Sequence, residues 1–361
     1  MSTLPGGYTP KQDSVGRDGV QNFGSARTAM PGTGGGRRRR GRGGGRSAER
    51  QMVPDAEFTS YYGRPVVKAA PWTIDIPAYL YLGGLAGGSA LLGAGADLAG
   101  RPALRRTSRF GALVGIGASL VLLVHDLGRP SRALNMLRVA KPTSPMSVGT
   151  WILTGFGPLA GLAAAGELRG LLPRRLRRVV SVVDRPAGLA AAALAPAVAS
   201  YTAVLIADTA TPSWHAGYRE LPFVFVGSAA VAAGGLGMLG APVAQAGPAR
   251  RMAIGGALLE LAAAHQMESS MGIAAEPLHQ GTAGKFMKAS KALTALGALG
   301  AVFGGRDRRI AAASGTALLA ASACTRFGIF HAGQQSARDP KYTVVPQRER
   351  LAGRQNGHRA S

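Results

Sequence analysis

The chain has 361 residues, with 42 Lys and Arg against 18 Asp and Glu, 46% hydrophobic residues, only 17% charged ones and 53 glycines. A soluble domain carries roughly 25% charged residues, so these proportions exclude an ordinary soluble enzyme, and the Ala, Gly, Leu and Val of the apolar stretches suit close helix packing in lipid. A single cysteine, Cys324, excludes a disulfide framework, a Cys-type zinc site and a protein-ligated iron–sulfur cluster, which is usually held by four thiolates. The net charge of +24 would suit nucleic acid, but 12 of the 42 basic residues precede Pro71, outside the apolar part, so no nucleic-acid partner is expected from charge alone.

In chain order, residues 1–70 include Gly32–Gly45 with Arg37, Arg38, Arg39, Arg40, Arg42 and Arg46 in or beside that run. Such a composition buries no core and predicts a disordered basic tail. No apolar run follows the arginines closely enough for a secretory signal, and Tyr61, Tyr62 and Trp72 mark the approach to a membrane interface. From Pro77 onward, eight apolar segments of about bilayer-spanning length are predicted, at 77–98, 107–125, 147–166, 187–207, 221–241, 252–272, 288–304 and 310–331. A polar tail, 336–361, follows. The fold class is therefore an all-α integral membrane bundle of about eight helices, with 71–335 as its transmembrane domain.

An even count puts both chain ends on one side. The loops after odd-numbered segments hold fifteen arginines, against eight Lys and Arg in the loops after even-numbered ones. The positive-inside rule then makes the odd loops cytoplasmic and both termini non-cytoplasmic.

Ionisable residues in membrane helices are costly, and each is a candidate functional site. Asp75 begins the first segment, His125 and Asp126 end the second, Asp208 ends the fourth, Glu268 lies toward the end of the sixth, and Arg326 and His331 end the eighth. With alternating directions, all of these ends share one face, and Tyr201 reaches in from the fourth segment. Glu260, His265 and Glu268 fall within about 140° on one helix, which suggests either a proton path or buried hydrogen bonds that fix packing. Asp97, near the far end of the first segment, would mark the opposite mouth of such a path unless it is simply solvated there. His125, His265 and His331 form no pair with haem-ligand spacing, so no haem is expected. The overlapping patterns Gly83/Gly87 and Gly84/Gly88 predict close helix contact rather than a nucleotide loop.

The first segment reads Pro77-Ala78-Tyr79-Leu80-Tyr81-Leu82-Gly83-Gly84-Leu85-Ala86-Gly87-Gly88, and the second ends in His125-Asp126-Leu127-Gly128-Arg129-Pro130. Leu134-Asn135-Met136-Leu137-Arg138-Val139 follows, then Lys141-Pro142-Thr143-Ser144-Pro145-Met146-Ser147-Val148-Gly149-Thr150-Trp151. Together these blocks resemble the NrfD/PsrC family, the membrane subunits of polysulfide reductase-like molybdoenzyme complexes. The resemblance spans about 55–335 and implies an eight-helix bundle in the cytoplasmic membrane. It further implies a quinone or quinol, menaquinone or a related one, as exchangeable substrate. Electrons would pass to or from a four-cluster, ferredoxin-like iron–sulfur subunit, beyond which lies a molybdopterin oxidoreductase subunit. It also implies a quinone site matched here to Asp75, Tyr79, His125, Asp126 and Tyr201. Glu260, His265, Glu268 and Asp97 would then serve proton movement, and Arg129, Arg132, Asp208 and Arg326 partner docking. A secondary transporter or channel, or an anchor without quinone chemistry, would use the same bundle differently, but no repeat between the first and last four segments favours transport.

Overall fold

Proline stands at the first or second position of four of the long helices, where the missing N–H has no helical partner to lose. In the computed structural model, residues 65–360 are described, with no strand among them; of the tail expected to be disordered, 1–70, residues 1–64 lie outside the described residues, while Ala70 packs against the bundle core. Eight long helices run as α1 (Asp75–Leu98), α2 (Pro102–Asp126), α3 (Pro145–Glu167), α4 (Arg174–Ala207), α5 (Leu221–Gly240), α6 (Gly247–Ser270), α7 (Gly281–Phe303) and α8 (Arg308–Arg338). A 3₁₀ helix, Pro130–Arg138, and a short helix, Pro212–Ala216, lie between them, and α9 (Lys341–Ala360) follows. Seven of the eight are long and apolar enough to cross a membrane. The remaining one, α6, has 24 residues but carries Arg250, Arg251, Glu260 and Glu268. All eight predicted segments are present, and they differ from expectation mainly where polar residues prolong a helix. Thus α4 begins at Arg174 and α8 runs to Arg338, since Arg, Gln and Ala sustain helix after the apolar run has ended.

Side-chain bonds fix the direction of each helix. Thr73, just before α1, donates to Asp126 at the end of α2 (3.1 Å), while Arg105 near the start of α2 donates to Glu167 at the end of α3 (2.7 Å). Arg101 reaches the Ala244 carbonyl (2.9 Å) and Arg308 the Met238 carbonyl (2.6 Å), which gathers the loops after α1, α5 and α7 on the Arg105 side. On the other side Gln334 donates to the Ala70 carbonyl (2.9 Å), and the Ser213 N–H to Ser336 (3.1 Å). Each long helix therefore reverses its predecessor, and the starts of the odd helices share a face with the ends of the even ones. We call this the N-terminal face.

The most deeply buried of the apolar helices is α1. Four of its glycines turn toward different neighbours: Gly83 toward Ser119 of α2, Gly84 toward Arg326 of α8, Gly87 toward the Ala195 carbonyl of α4, and Gly88 toward the Ala229 carbonyl of α5. Without Cβ atoms there, backbones approach closely enough for dispersion to replace the hydrophobic drive that lipid cannot supply. At the chain's end, the polar 336–360 stretch is largely helical. It finishes α8 and forms α9, tied back by Lys341 and Tyr342 donating to Glu276. The Lys341 bond holds the Glu276 carboxyl below its usual range and raises the Lys341 ammonium.

A Cβ at Gly88 would stand 2.4 Å from the Ala229 carbonyl oxygen, whereas one at Gly95 would meet nothing within 4 Å. Gly88→Ala is expected to cost about 1–3 kcal/mol through overpacking and to lower the thermal unfolding midpoint in detergent. Gly95→Ala should stay within about 0.5 kcal/mol of the parent, and equal effects would mean that the α1–α5 contact is not the tight one.

Candidate functional site

Two sequence blocks build a corner on the N-terminal face. Gly128, at φ +67°, takes the left-handed conformation that ends α2 just past Asp126, and Pro130 opens the 3₁₀ helix that packs against α2 and α3. After the turn, the Ser144 side chain caps α3 by accepting from the Ser147 N–H (3.5 Å). Ser147 Oγ then accepts from the Lys141 N–H (2.9 Å) and donates to the Val139 carbonyl (2.8 Å), which also accepts from Trp151 Nε1 (3.2 Å). The Lys141–Trp151 block is thus a hydrogen-bonded corner that aims Met146, Gly149 and Thr150 inward.

What they face is a cavity of about 90 Å³, whose other walls include Trp72, Ile76, Tyr79, Asp126, Met136 and Tyr201. Tyr79 and Tyr201 are buried, and their hydroxyls are hydrogen-bonded to each other across α1 and α4. A Cβ at Gly149 would stand 2.5 Å from Tyr201 Cε2, so a glycine there is what allows the phenol ring to lie against α3. Leu123, Leu127, Met136, Thr150 and Leu153 line both this cavity and an apolar groove of about 460 Å³ between α2, α3 and the 3₁₀ helix, which continues past Leu113, Gly117 and Pro158. A small chamber with two phenols and a carboxyl thus adjoins a groove with an apolar lining, the two sharing these five wall residues.

Of the five residues assigned from sequence to one binding site, Tyr79, Asp126 and Tyr201 line the chamber, whereas Asp75 and His125 do not. Asp75 and His125 pair just outside it, with His125 Nδ1 2.8 Å from Asp75 Oδ2, and the His125 side chain is 77% exposed against 17% for Asp75. Thr73 had no assigned role and Trp72 was read only as marking the approach to a membrane interface, yet both belong to this corner. Thr73 Oγ1 lies 3.0 Å from Asp75 and 3.1 Å from Asp126, and Trp72 stacks on Trp214 at 5.6 Å between ring centroids. Trp72 is therefore a chamber wall. Gly149 was also missed, although it sits inside a block that the sequence singles out.

The four residues expected along a proton path fall into separate surroundings. Asp97 belongs to an ion network on the opposite face: Arg105 lies 3.0 Å and Arg185 3.1 Å from it, Arg105 and Arg109 both bond Glu167 (2.7 and 3.0 Å), and Arg109 reaches Asp184 at 3.5 Å. It ties α1, α2, α3 and α4 together and is neither a simple solvated end nor joined to the other three. Glu260 is buried in the bundle, its Oε1 accepting from Thr325 (2.5 Å), which also bonds Ser290 (2.6 Å). Glu268 pairs with Lys291 (2.7 Å) and lies 3.8 Å from His279. His265 is exposed, on the outward side of α6. An arc of about 140° spans more than the buried stripe of this helix, so the shared face expected for the three residues does not include His265.

Arg129, Arg132 and Asp208 are exposed on the N-terminal face. Arg326 corrects the sequence reading: it is 0% exposed, so it cannot meet a docked partner. The helix continues twelve residues beyond it to Arg338, which sets it deep in the bundle instead of at a helix end. There its guanidinium lies 3.6 Å over the Phe225 ring and donates to the Phe225 carbonyl (2.8 Å). Among the described residues no group of three or more His, Cys, Asp or Glu could hold a metal ion.

This combination of alternating apolar helices and polar groups turned inward defines a multi-pass membrane protein. The chain belongs to the family described as polysulphide reductase, NrfD, which matches residues 66–250, just over half of its length. Comparison with curated proteins gave no match. The matched span holds every chamber residue named above, and the membership makes the chain a membrane subunit of a redox complex.

The ion network gives a stability test. The Arg109 side chain is 6% exposed and that of Arg185 64%. Arg109→Ala should cost about 3–5 kcal/mol by leaving buried carboxylates short of a partner, while Arg185→Ala should cost at most about 1 kcal/mol. Thermal unfolding of the two variants in detergent checks the ranking.

Proposed function

We propose that this chain is the quinone-reactive membrane subunit of an oxidoreductase complex, exchanging electrons between a membrane quinone, menaquinone or a related one, and an iron–sulfur partner. The observation that carries the reading is that the chamber of Tyr79, Asp126 and Tyr201 lies against the apolar groove between α2 and α3, with five wall residues common to both. A quinone has a compact head with two hydrogen-bonding oxygens and a long hydrocarbon tail, and this pair of spaces matches both parts. The chamber alone is smaller than an ordinary ligand pocket of roughly 300 Å³ or more; joined to the groove it reaches that scale. The two phenol hydroxyls now satisfy each other, and each has a donor and lone pairs to offer a quinone oxygen once they part.

The electron partner is inferred from what the chain lacks. With one thiol it cannot hold a cluster, so electrons are taken up or delivered by a docked subunit, a four-cluster ferredoxin-like protein serving a molybdopterin catalytic subunit. Arg129, Arg132 and Asp208 are the exposed groups beside the chamber that suit such docking. The excess of arginines in the odd loops supports a cytoplasmic-membrane topology with the N-terminal face non-cytoplasmic. The chain is read as binding no haem: His125 pairs with Asp75, His265 is exposed on α6, and His331 stacks on Phe286 at 5.8 Å.

Removing one hydrogen-bonding partner of a bound quinone oxygen costs about 1–3 kcal/mol, or roughly a 5- to 150-fold loss. Tyr79→Phe and Tyr201→Phe should each lower quinone-linked turnover in that range, while the catalytic subunit keeps its activity with an artificial dye. Full quinone-linked activity in both assembled variants would place the head group elsewhere. Gly149→Ala, which drives a methyl into the Tyr201 ring, should move turnover in the same direction as Tyr201→Phe, with little added loss when the two are combined.

A further inference from the structure

Asp75 and His125 stand outside the chamber, and Asp126 stands in its wall. Thr73 Oγ1 joins them, 3.1 Å from Asp126 Oδ1 and 3.0 Å from Asp75 Oδ2, and it also accepts from the Asp75 N–H (3.3 Å). The Thr73 N–H adds a second bond to Asp126 Oδ1 (3.3 Å). A hydroxyl carries one proton and two lone pairs, so Thr73 cannot donate to both carboxylates at once. With one lone pair taken by the Asp75 N–H, both carboxyl contacts are hydrogen bonds only when one carboxyl is protonated and donates to Thr73 while Thr73 donates to the other. Asp75 in turn meets His125 Nδ1 at 2.8 Å, and the His125 ring ends the series with its side chain 77% exposed; Thr73 is exposed as well.

We propose that Thr73 is a relay residue, and that Asp126, Thr73, Asp75 and His125 form the route by which protons pass between the chamber and water. This rests on the quinone reading given above. Oxidation of a quinol breaks two O–H bonds, sends two electrons one at a time to the iron–sulfur partner and releases two protons. Each proton goes to the Asp126 carboxylate, then to Thr73 Oγ1 as the Thr73 hydroxyl proton moves to Asp75 Oδ2. From there it goes to His125 Nδ1, and the ring gives up a proton to water. Exposure lets the imidazole reset its tautomer by exchange with solvent before the second proton follows. Quinone reduction runs the same steps backward.

The test uses the complex with its partner subunits, assayed for menadiol oxidation or menadione reduction, for binding of a hydroxyquinoline N-oxide inhibitor and for dye-linked activity. Thr73→Val keeps the shape and removes the hydroxyl, and Thr73→Ser restores it. Thr73→Val should lower quinone-linked turnover by about tenfold or more, in the range of a lost proton-transfer group. It should also raise the rate ratio between light and heavy water, and leave inhibitor affinity and dye activity unchanged; Thr73→Ser should recover the rate and the isotope effect. His125→Ala should be slowed likewise and regain turnover with added imidazole. Parent-like turnover in Thr73→Val overturns the relay, as does loss of inhibitor binding in step with turnover, which would make Thr73 a structural tie between α1 and α2. If the parent complex neither binds the inhibitor nor turns over the quinone while dye activity persists, the quinone reading itself has failed.

Discussion

Inside the bilayer no water is available to the polar groups that the bundle keeps, so their partners come from protein, although Glu260 Oε2 and Arg326 Nε and Nη1 have no hydrogen-bond partner. The close contacts around α1 follow from that constraint. Gly84 leaves space for the Arg326 guanidinium, which then settles over the Phe225 ring and bonds its carbonyl. Gly227 brings α5 against the backbone of α6 at Glu260, and Glu260 finds Thr325 on α8. A charged helix such as α6, too polar to qualify as a span by composition, is accommodated because its buried carboxylate faces hydroxyls instead of hydrocarbon. Small residues thus make room for the few large polar ones.

The same constraint explains why the two faces of the bundle differ. On the face opposite the chamber, Asp97, Glu167 and Asp184 are matched by Arg105, Arg109 and Arg185, a balanced set that leaves little to react. On the N-terminal face the acids are not matched by arginines. Asp75 and Asp126 are held by a backbone N–H and by a hydroxyl and an imidazole, each of which can both donate and accept a hydrogen bond where a guanidinium only donates. The chemistry of the neighbours, more than the presence of carboxylates, separates a structural cluster from a reactive one.

Much of this was legible in the sequence. Apolar run length located all eight helices, and parity alone placed Asp75, His125, Asp126 and Tyr201 on one face, because alternation is forced once each run spans the bilayer. Depth was less legible. Arg326 was misplaced because hydropathy ends at the last apolar residue while the helix continues through Gln334, Gln335 and Arg338. Rotation failed for His265, since an angular window says which residues lie near one another and not where the buried stripe begins. Asp97 was taken for the end of a path because its partners Arg105 and Arg185 lie in other helices, where no local pattern joins them. Thr73 was passed over for a simpler reason: its bond to Asp126 crosses 53 positions, and no local pattern joins the two.

On the function proposed above, the chamber exchanges both electrons and protons and must let them leave by different routes, and its surroundings divide accordingly. Its inner wall is aromatic and apolar, with Trp72 stacked on Trp214 and both tyrosines buried, which keeps water from the reacting oxygens. Its single carboxyl, Asp126, sits at the rim where α2 ends, the one side from which hydrogen bonds lead to the exposed His125. That position is fixed by Gly128: were α2 to continue another turn, Asp126 would be an interior helical residue, and the 3₁₀ helix that brings Met136 to the chamber could not begin at Pro130. Ending the helix there lets one short block both close the chamber and open a way out of it.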